Sequence, residues 1–194
     1  MGRSIPEMIR GFAGNVEAVA GTEVRAAVIE GGKKITARAG GAATARWMKN
    51  AIDRLDHVAD EETCGRIMEA CGRACIAANP SMVARVKSRR RKFTSLDDFL
   101  AAEQRKPLTG TRLERQGDIL FHTYTPQEFR PGMRCFCALV KELPAKEKMS
   151  STYCLCSRAF IKTFWEEALG RPVKVDVLET ALTGSKECRF RIEM

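Results

Sequence analysis

The sequence predicts an α+β protein, in which an N-terminal helical region packs on a four-stranded antiparallel sheet crossed by one helix. Apolar residues recur at helical spacing in the first half of the chain, whereas they alternate with polar residues after Pro107. In the second half the predicted order is β-β-α-β-β with short connections, which favours an antiparallel sheet with its helix on one face. The predicted regions are a helical region over 1–106 and an α+β unit over 107–194, together one compact domain.

Glycine, proline and capping residues separate the predicted helices of the N-terminal region. These helices cover 6–30, 42–55 and 60–79, then a helix that starts at Pro80 and a short one around 96–100. Gly14 and Gly21 interrupt the first pattern, so two short helices are an equal alternative there. Asp60 is suited to cap the third helix, and Ser95 with Asp98 resembles a capping box at the start of the last.

The elements of the C-terminal region follow from alternation and from turn residues. Strands are predicted at 119–124 and 133–140, a helix at 152–169, and two further strands at 173–177 and 188–192. The Pro131-Gly132 turn separates the first two strands, and Gly170 with Pro172 ends the helix. The segment 183–186 is predicted to be the hairpin connection between the last two strands.

The last predicted strand has two different faces. Cys188, Phe190 and Ile192 share one face, and Arg189 and Arg191 share the other. Because two arginines require solvent or a partner, the face with Cys188 is expected to be the buried one. Cys188 is then either a small core residue, which is the preferred interpretation, or a thiol that belongs to a site.

The net charge and the aromatic content of the chain indicate which partners to expect. The net charge of +9 and the basic run at 85–92 suggest nucleic-acid binding, but the run also fits a solvated helix face and aromatic residues make up only 7%. Nucleic acid is therefore the minor alternative; a small molecule is the expected partner, and a homodimer stays open.

No stretch approaches the ~18–20 apolar residues of a membrane-spanning helix, and the N-terminus lacks the apolar core of a signal peptide. The expectation is a cytoplasmic protein without a membrane partner.

Two Cys-x-Cys pairs, Cys135 with Cys137 and Cys154 with Cys156, are the most informative motif of the chain. Thiols this dense in a reducing compartment are more often metal ligands or reactive groups than disulfide partners. On a strand, Cys135 and Cys137 would present both sulfurs to one side. Cys154 and Cys156 converge only if their backbone is extended, because in a helix they lie about 200° apart.

Four convergent thiolates suit a tetrahedral Zn²⁺, which is the first candidate, or an iron–sulfur cluster as the alternative. The helix at 60–79 carries Cys64, Cys71 and Cys75 on one stripe that is expected to face the core. Its last two cysteines are candidates to complete the metal site. The opposing interpretation is that the cysteines are small apolar core residues. The candidate metal ligands are Cys135, Cys137, Cys154, Cys156, Cys71 and Cys75.

A thiol- or metal-dependent hydrolase is the alternative to a binding protein, and the sequence leaves open whether any reaction is catalysed. A cysteine at a helix N-terminus has a lowered pKa, so Cys154 or Cys156 would be the nucleophile. His122 is the only histidine in the C-terminal region and would be its partner. A lone histidine on a strand, however, is more often a structural residue with its hydrogen bonds satisfied.

The segment from Thr152 to Ile192 resembles the 4-vinyl reductase domain. The resemblance is carried by the sequences FWE at 164–166, LGRPV at 169–173 and CRFRI at 188–192, and by the pattern Gly-x-x-x-Cys-x-Phe at 184–190. Members of that family are predicted to bind small, often hydrocarbon-like molecules. The resemblance implies a pocket between the sheet and the helices. The candidate ligand-binding residues are Cys188, Phe160, Phe164 and His122.

Two further groups of proteins are similar in their cysteine patterns. A group of bacterial and archaeal proteins is similar in the Cys-x-Cys pairs and in the Cys-Gly-Arg-x-Cys helix, here residues 71–75. The L-2-amino-thiazoline-4-carboxylic acid hydrolase family is a looser relative by pattern. Together these features favour a small-molecule-binding protein of the sensor or carrier type with a cysteine-rich, metal-binding site.

Overall fold

Seven helices and one sheet form the fold over the described residues, 3–107 and 110–194, of this computed structural model. The helices are α1 (Ile5–Val28), α2 (Gly41–Val58), α3 (Glu61–Ala77), α4 (Pro80–Arg90), α5 (Leu96–Arg105), α6 (Pro126–Phe129) and α7 (Ser151–Leu169). The strands are β1 (Thr111–Gln116), β2 (Ile119–Tyr124), β3 (Lys174–Glu179) and β4 (Cys188–Glu193). The predicted α+β class is confirmed.

The strands form one antiparallel sheet in the order β1-β2-β4-β3, and α7 packs on it. Trp165 of α7 is buried, and its indole Nε1 donates a hydrogen bond to His122 Nδ1 of β2 at 3.1 Å. In β4 the side chains of Cys188, Phe190 and Ile192 are buried, whereas the arginines between them are partly exposed. The predicted orientation of this strand is therefore confirmed.

The predicted strand over 133–140 is wrong, because this part of the chain consists of turns and irregular backbone. We call residues 133–143 the 133–143 loop; in it the Cys137 carbonyl accepts hydrogen bonds from the backbone N–H groups of Val140 and Lys141. The strand that pairs with β2 on this side is instead β1, which joins it through a loop at Gly117 and Asp118. Gly117 has a φ of +61°, a conformation that glycine adopts without strain.

The ends of the helices follow the predicted capping residues. The Asp60 carboxylate accepts a hydrogen bond from the backbone N–H of Thr63 at 2.7 Å, which starts α3. The Ser95 hydroxyl accepts one from the N–H of Asp98 at 3.0 Å, which starts α5. Gly21 has a φ of +88° inside α1, so this helix is divided by a kink, as the two-helix alternative expected.

Two clusters of buried apolar side chains form the core, and α7 contributes to both. The first lies among α1, α2, α3 and the start of α7, and it includes Phe12, Trp47, Met48, Ile67 and Met68. The second lies between α5, the later part of α7 and the sheet, and it includes Phe99, Leu100, Trp165, Phe190 and Ile192. The first turns of α7 are thus placed at the edge of the first cluster.

At Gly72 the backbones of α3 and α7 come into direct contact. A Cβ atom at this position would overlap the Cys156 carbonyl oxygen and would lie 2.7 Å from Ala159 Cβ. A side chain at position 72 would therefore force the two helices apart. Because Cys71 is adjacent to Gly72, this contact brings a cysteine of α3 beside the first turns of α7.

Candidate functional site

Seven of the eight cysteines lie together where α3, the 133–143 loop, the start of α7 and β4 meet. We call them the thiol cluster: Cys71, Cys75, Cys135, Cys137, Cys154, Cys156 and Cys188. All eight cysteines are free thiols. The eighth, Cys64, is buried elsewhere, with its sulfur 3.9 Å from the Leu55 carbonyl oxygen and 3.8 Å from that of Ala59.

Cys156 lies at the centre of the thiol cluster. Burial raises its pKa well above the ordinary value of a thiol, and the neighbouring thiols of Cys137, Cys135, Cys71 and Cys154 raise it further. These thiols belong to α3, the 133–143 loop and α7, and the contact at Gly72 brings α3 against the backbone of Cys156. We call Cys71, Cys135, Cys137 and Cys156 the central four.

Hydrogen-bond donors are directed at three of these sulfurs. Asn15 Nδ2 donates to Cys71 Sγ at 3.2 Å, and the Tyr153 hydroxyl donates to Cys137 Sγ at 3.0 Å. The backbone N–H of Cys137 donates to Cys135 Sγ at 3.4 Å. Donors of this kind favour the thiolate over the thiol and fix the direction of its lone pairs.

Two buried thiols lie at the inner end of the cluster. The Cys154 thiol donates to the Thr180 hydroxyl at 3.1 Å, and the backbone N–H of Ala181 donates to Cys188 Sγ at 3.3 Å. Because Thr180 and Ala181 are consecutive, they hold the two sulfurs near each other. The thiol cluster therefore continues from the central four to the first residue of β4.

An arginine lies at each end of the thiol cluster. At the outer end, burial raises the pKa of Cys75, and the charge and hydrogen bond of Arg3 act against this effect. At the inner end, Arg134 is buried beside Cys154 and donates from Nη2 and Nε to the Ala181 carbonyl at 2.9 and 3.1 Å. Two positive charges thus flank a group of thiols in a largely apolar interior.

The two cysteines of α7 belong to different parts of the cluster. Because α7 begins at Ser151, Cys154 and Cys156 are both helical, and their side chains leave the helix about 200° apart. Cys154 contacts Thr180, whereas Cys156 faces the 133–143 loop and α3. If the Cys-x-Cys pair of α7 converged, Cys154 would be the partner of Cys156. In the structure this partner is instead Cys71 of α3, which is also one of the predicted ligands.

The position of Cys154 near the start of α7 does not make it acidic. Burial raises its pKa to about 11, and burial likewise raises the pKa of Cys156. The expected lowering by the helix terminus is therefore wrong, because desolvation of the charged form outweighs the helix dipole. Both groups are neutral thiols at pH 7 unless a metal ion or an electrophile replaces the proton.

The four candidate ligand-binding residues are distributed over several places. Cys188 belongs to the thiol cluster, whereas His122 is buried under α7, where it accepts the hydrogen bond from Trp165. Burial lowers the pKa of His122 to about 4, so its imidazole is neutral. Phe164 borders α4, and Phe160 lies beside Gly72 of α3. His122 therefore acts as a structural hydrogen-bond acceptor in this arrangement.

Two surface depressions lie away from the thiol cluster. The larger, about 490 Å³, is open to solvent at the end of α7 and is lined by Lys87, Glu166, Glu167, Gly170, Arg171 and Pro172. The smaller, about 50 Å³, lies between α4 and Phe164. Neither is lined by a cysteine.

The thiols are close together without being arranged around one point. Over residues 3–107 and 110–194, no group of three or more His, Cys, Asp or Glu side chains is already placed to hold a metal ion. Cys135 and Cys137 lie on the 133–143 loop and not on a strand, so their sulfurs are set by turn backbone and by Tyr153. Metal binding at the cluster would therefore require the cysteine side chains to move from these positions.

Half of the basic run at 85–92 is engaged within the chain. Lys87 pairs with Glu167 at 2.7 Å, Arg89 pairs with the buried Glu103 at 2.7 Å, and Arg90 donates to a backbone carbonyl. These cations stabilise the packing of α4, which weakens the argument for a nucleic-acid surface. Among the described helices, none has the length and apolar character needed to cross a membrane.

Four residues of the site were not singled out from the sequence: Arg3, Asn15, Tyr153 and Arg134. Asn15 on α1 meets Cys71 across 56 positions of the chain, which only the packing of α1 on α3 determines. Tyr153 has a local signal, because it precedes the Cys154-x-Cys156 pair directly. No pattern in the sequence indicates the surroundings of the two arginines.

Comparison with known proteins gives a family. A family model with the description "Family of unknown function (DUF6144)" matches residues 5–194, nearly the whole chain. No curated protein matches the chain. The family description includes no activity, so a function has to follow from the chemistry of the thiol cluster.

Proposed function

The chain belongs to the family of unknown function DUF6144, and we propose that it binds a thiophilic metal ion through the thiol cluster. Zn²⁺ is the first candidate, because it accepts an all-thiolate tetrahedral shell and needs no redox partner. The observation that carries the proposal is the meeting of the central four from three separate segments, with hydrogen-bond donors directed at their sulfurs.

The surroundings of the central four match what a metal–thiolate centre needs. A dication with four thiolates keeps a net negative charge, which is costly in an apolar interior unless cations or donors compensate it. Arg3 and Arg134 supply positive charge at opposite ends of the cluster. Asn15 and Tyr153 supply neutral donors to Cys71 and Cys137. Such partners stabilise and orient metal-bound sulfurs.

The direct test is the metal content of protein purified without oxygen and without chelators. We expect close to one zinc per chain in the wild type and loss of most of it in Cys156→Ser, which removes the central ligand. Cys64→Ser is the matched control, because Cys64 is a buried cysteine outside the cluster. It is expected to keep the metal, and circular dichroism checks that both variants fold.

The same experiment decides between metals and against the proposal. Iron and inorganic sulfide in place of zinc, with visible absorption, would assign the site to an iron–sulfur cluster. Wild-type protein that contains no metal and takes up neither Zn²⁺ nor Co²⁺ after reduction would refute metal binding by these thiols. Equal loss of zinc from Cys64→Ser and Cys156→Ser would also refute the assignment of the central four.

A second proposal is binding of a small apolar molecule, as the likeness to the 4-vinyl reductase domain implies. It is favoured by an exposed aromatic patch beside the thiols, in which Phe129 and Phe136 are 44% and 49% exposed and their ring centroids are 4.7 Å apart. Tyr124 continues the patch, with its ring 5.6 Å from that of Phe136. Phe136 lies between Cys135 and Cys137 in the chain.

The small-molecule proposal predicts an organic ligand at this patch. Native mass spectrometry of gently purified protein should detect an added organic mass in the wild type, and Phe136→Ala should lose it. Leu178→Ala is the control, because Leu178 is similarly exposed, at 48%, but lies on β3 away from the aromatic rings. A wild-type spectrum that contains only the bare chain, or the chain with metal, would contradict the second proposal.

A further inference from the structure

We infer that Cys135 and Cys137 form a reversible disulfide, whereas Cys154 and Cys156, which have the same spacing, do not. In the structure all four are free thiols, so it represents the reduced form of the protein. Formation of this disulfide does not depend on a metal. Its effect on zinc rests on the proposed function, because Cys135 and Cys137 belong to the central four.

The backbone places Cys135 and Cys137 against each other. The two residues lie on irregular backbone that bends at Phe136. The backbone N–H of Cys137 donates to Cys135 Sγ at 3.4 Å, so the sulfur of Cys135 lies against the residue that carries the other thiol. Over two residues even an extended chain spans only about 7 Å, the upper limit between the Cα atoms of a disulfide, and a bend shortens this distance. The bond therefore needs rotation of the two side chains and no rearrangement of another segment.

The second Cys-x-Cys pair is held apart by its helix. Because Cys154 and Cys156 are both helical residues of α7, their side chains leave the helix about 200° apart. The Cys154 thiol donates to the Thr180 hydroxyl, and the backbone at Cys156 lies against Gly72 of α3. Cysteines whose Cβ atoms point apart cannot be bridged without movement of the backbone. The two motifs thus differ in chemistry although their spacing is identical.

The residues on both sides of the first pair are fixed in place. On one side the buried Arg134 donates from Nη2 and Nε to the Ala181 carbonyl at 2.9 and 3.1 Å. On the other side the Cys137 carbonyl accepts hydrogen bonds from the backbone N–H groups of Val140 and Lys141. Since both flanks are already ordered, closing the disulfide costs little additional conformational entropy.

An oxidant can reach this pair from solvent. Cys135 and Cys137 are partly exposed, and Phe136 between them is 49% exposed. The Tyr153 hydroxyl donates to Cys137 Sγ at 3.0 Å, which favours the thiolate. Burial nevertheless raises the pKa of both thiols. Because the thiolate is the attacking species, the disulfide should form faster as the pH rises.

The oxidant is a small organic disulfide, for which oxidised glutathione is the probe. One thiolate of the pair attacks a sulfur of oxidised glutathione, the S–S bond of glutathione breaks, and one glutathione thiolate leaves. The other thiolate of the pair then attacks the protein sulfur of this mixed disulfide, and the second glutathione leaves. The two protein thiols are thereby oxidised, glutathione disulfide is reduced to two thiols, and the two protons pass from the protein to them.

Peptide mapping compares the two motifs within one chain, because trypsin separates them. Cleavage after arginine and lysine gives the peptides 135–141 and 149–158, each with one Cys-x-Cys pair and no other cysteine. Reduced, metal-free protein is treated with oxidised glutathione, its remaining thiols are alkylated under denaturing conditions, and the digest is analysed by mass spectrometry. We expect peptide 135–141 to lose two hydrogens in most chains and peptide 149–158 to be alkylated at both cysteines.

Variants and unfolding supply the controls. In Cys135→Ser the second thiol is missing, so Cys137 should retain a mixed disulfide with glutathione. Cys64→Ser should form the disulfide as the wild type does, because Cys64 lies outside the thiol cluster. In concentrated urea the difference between the two peptides should disappear, since α7 is then unfolded.

The outcomes separate this inference from the proposed function. Absence of the disulfide from peptide 135–141, an equal yield in peptide 149–158 of the folded protein, or a disulfide that joins peptide 135–141 to another peptide would each overturn the inference. Under the proposed function, oxidation should also release zinc, and reduction should restore zinc binding. Zinc retained by chains that contain the disulfide would instead exclude Cys135 and Cys137 as ligands and leave the disulfide established.

Discussion

His122 illustrates how one buried residue makes the stability of the protein depend on pH. Its imidazole is neutral in the fold, because burial lowers its pKa to about 4, and Nδ1 accepts the hydrogen bond from Trp165. In the unfolded chain the same group titrates near its ordinary value of 6.5. The unfolded state therefore binds a proton more readily, and stability is lost as the pH falls from 6.5 towards 4.

We predict that the free energy of unfolding falls through this window by on the order of 1 kcal/mol per pH unit because of His122 alone. His122→Gln should flatten the dependence, at the cost of lower stability at neutral pH, and urea unfolding at several pH values measures both. His57→Gln is the control, because His57 is the other histidine and is exposed. An equally steep profile for His122→Gln would contradict the role assigned to His122.

At the residue scale the sequence predicted correctly that Cys188 is buried. It could not indicate which sulfurs adjoin each other. Cys71 meets Cys156 only because Gly72 lets α3 pack on the α7 backbone, and this depends on two helices far apart in the chain. The sequence around either cysteine does not indicate this contact, because the contact depends on how the two helices pack.

At the scale of elements, the contact between α3 and α7 is the feature that builds the site. A Cβ at position 72 would overlap the Cys156 carbonyl, whereas nothing lies within 4 Å of a Cβ at Gly65 on the same helix. We predict that Gly72→Ala destabilises the protein by about 1–3 kcal/mol, as overpacking does. Gly65→Ala should stabilise it slightly, by up to about 1 kcal/mol, because alanine favours helix.

Urea unfolding of the two glycine variants measures this difference, and metal content measures its consequence for the site. Since the substitution at 72 displaces Cys71 from Cys156, Gly72→Ala should also bind less zinc than Gly65→Ala. Equal stability of the two variants would show that the helices tolerate separation and that the close contact is dispensable.

The sequence predicted six of the seven helices and three of the four strands of the described residues, and it misplaced one strand for a physical reason. Residues 133–140 alternate well enough for a strand, but Arg134 is buried there and donates to carbonyl oxygens of Pro144, Glu147 and Ala181. Those long-range bonds fold the segment into turns. The sequence did not predict β1, because most of its side chains are polar and apolar residues do not alternate with them clearly. Gly117-Asp118, which connects β1 to β2, is nevertheless a typical two-residue hairpin loop.

At the scale of the whole molecule, the proposed metal site links binding to proton release. Burial raises the pKa values of Cys71, Cys135 and Cys156, so these groups are protonated before a metal binds. We predict that zinc affinity rises with pH from 6 to 8 and that more than one proton is released per ion. Calorimetry in buffers with different ionisation enthalpies counts the protons. An affinity independent of pH would exclude these thiols as the ligands.

The course of α7 has a consequence for how the molecule would respond to binding. This one helix begins among the thiols, and Trp165 near its other end is fixed to His122 on the sheet. A shift of the first turn of α7 would be transmitted along the whole helix, because the helix runs unbroken from Ser151 to Leu169 and has no hinge. Occupancy of the thiols should then slow amide hydrogen exchange around His122 in β2, so that a strand without a cysteine reports the state of the thiols.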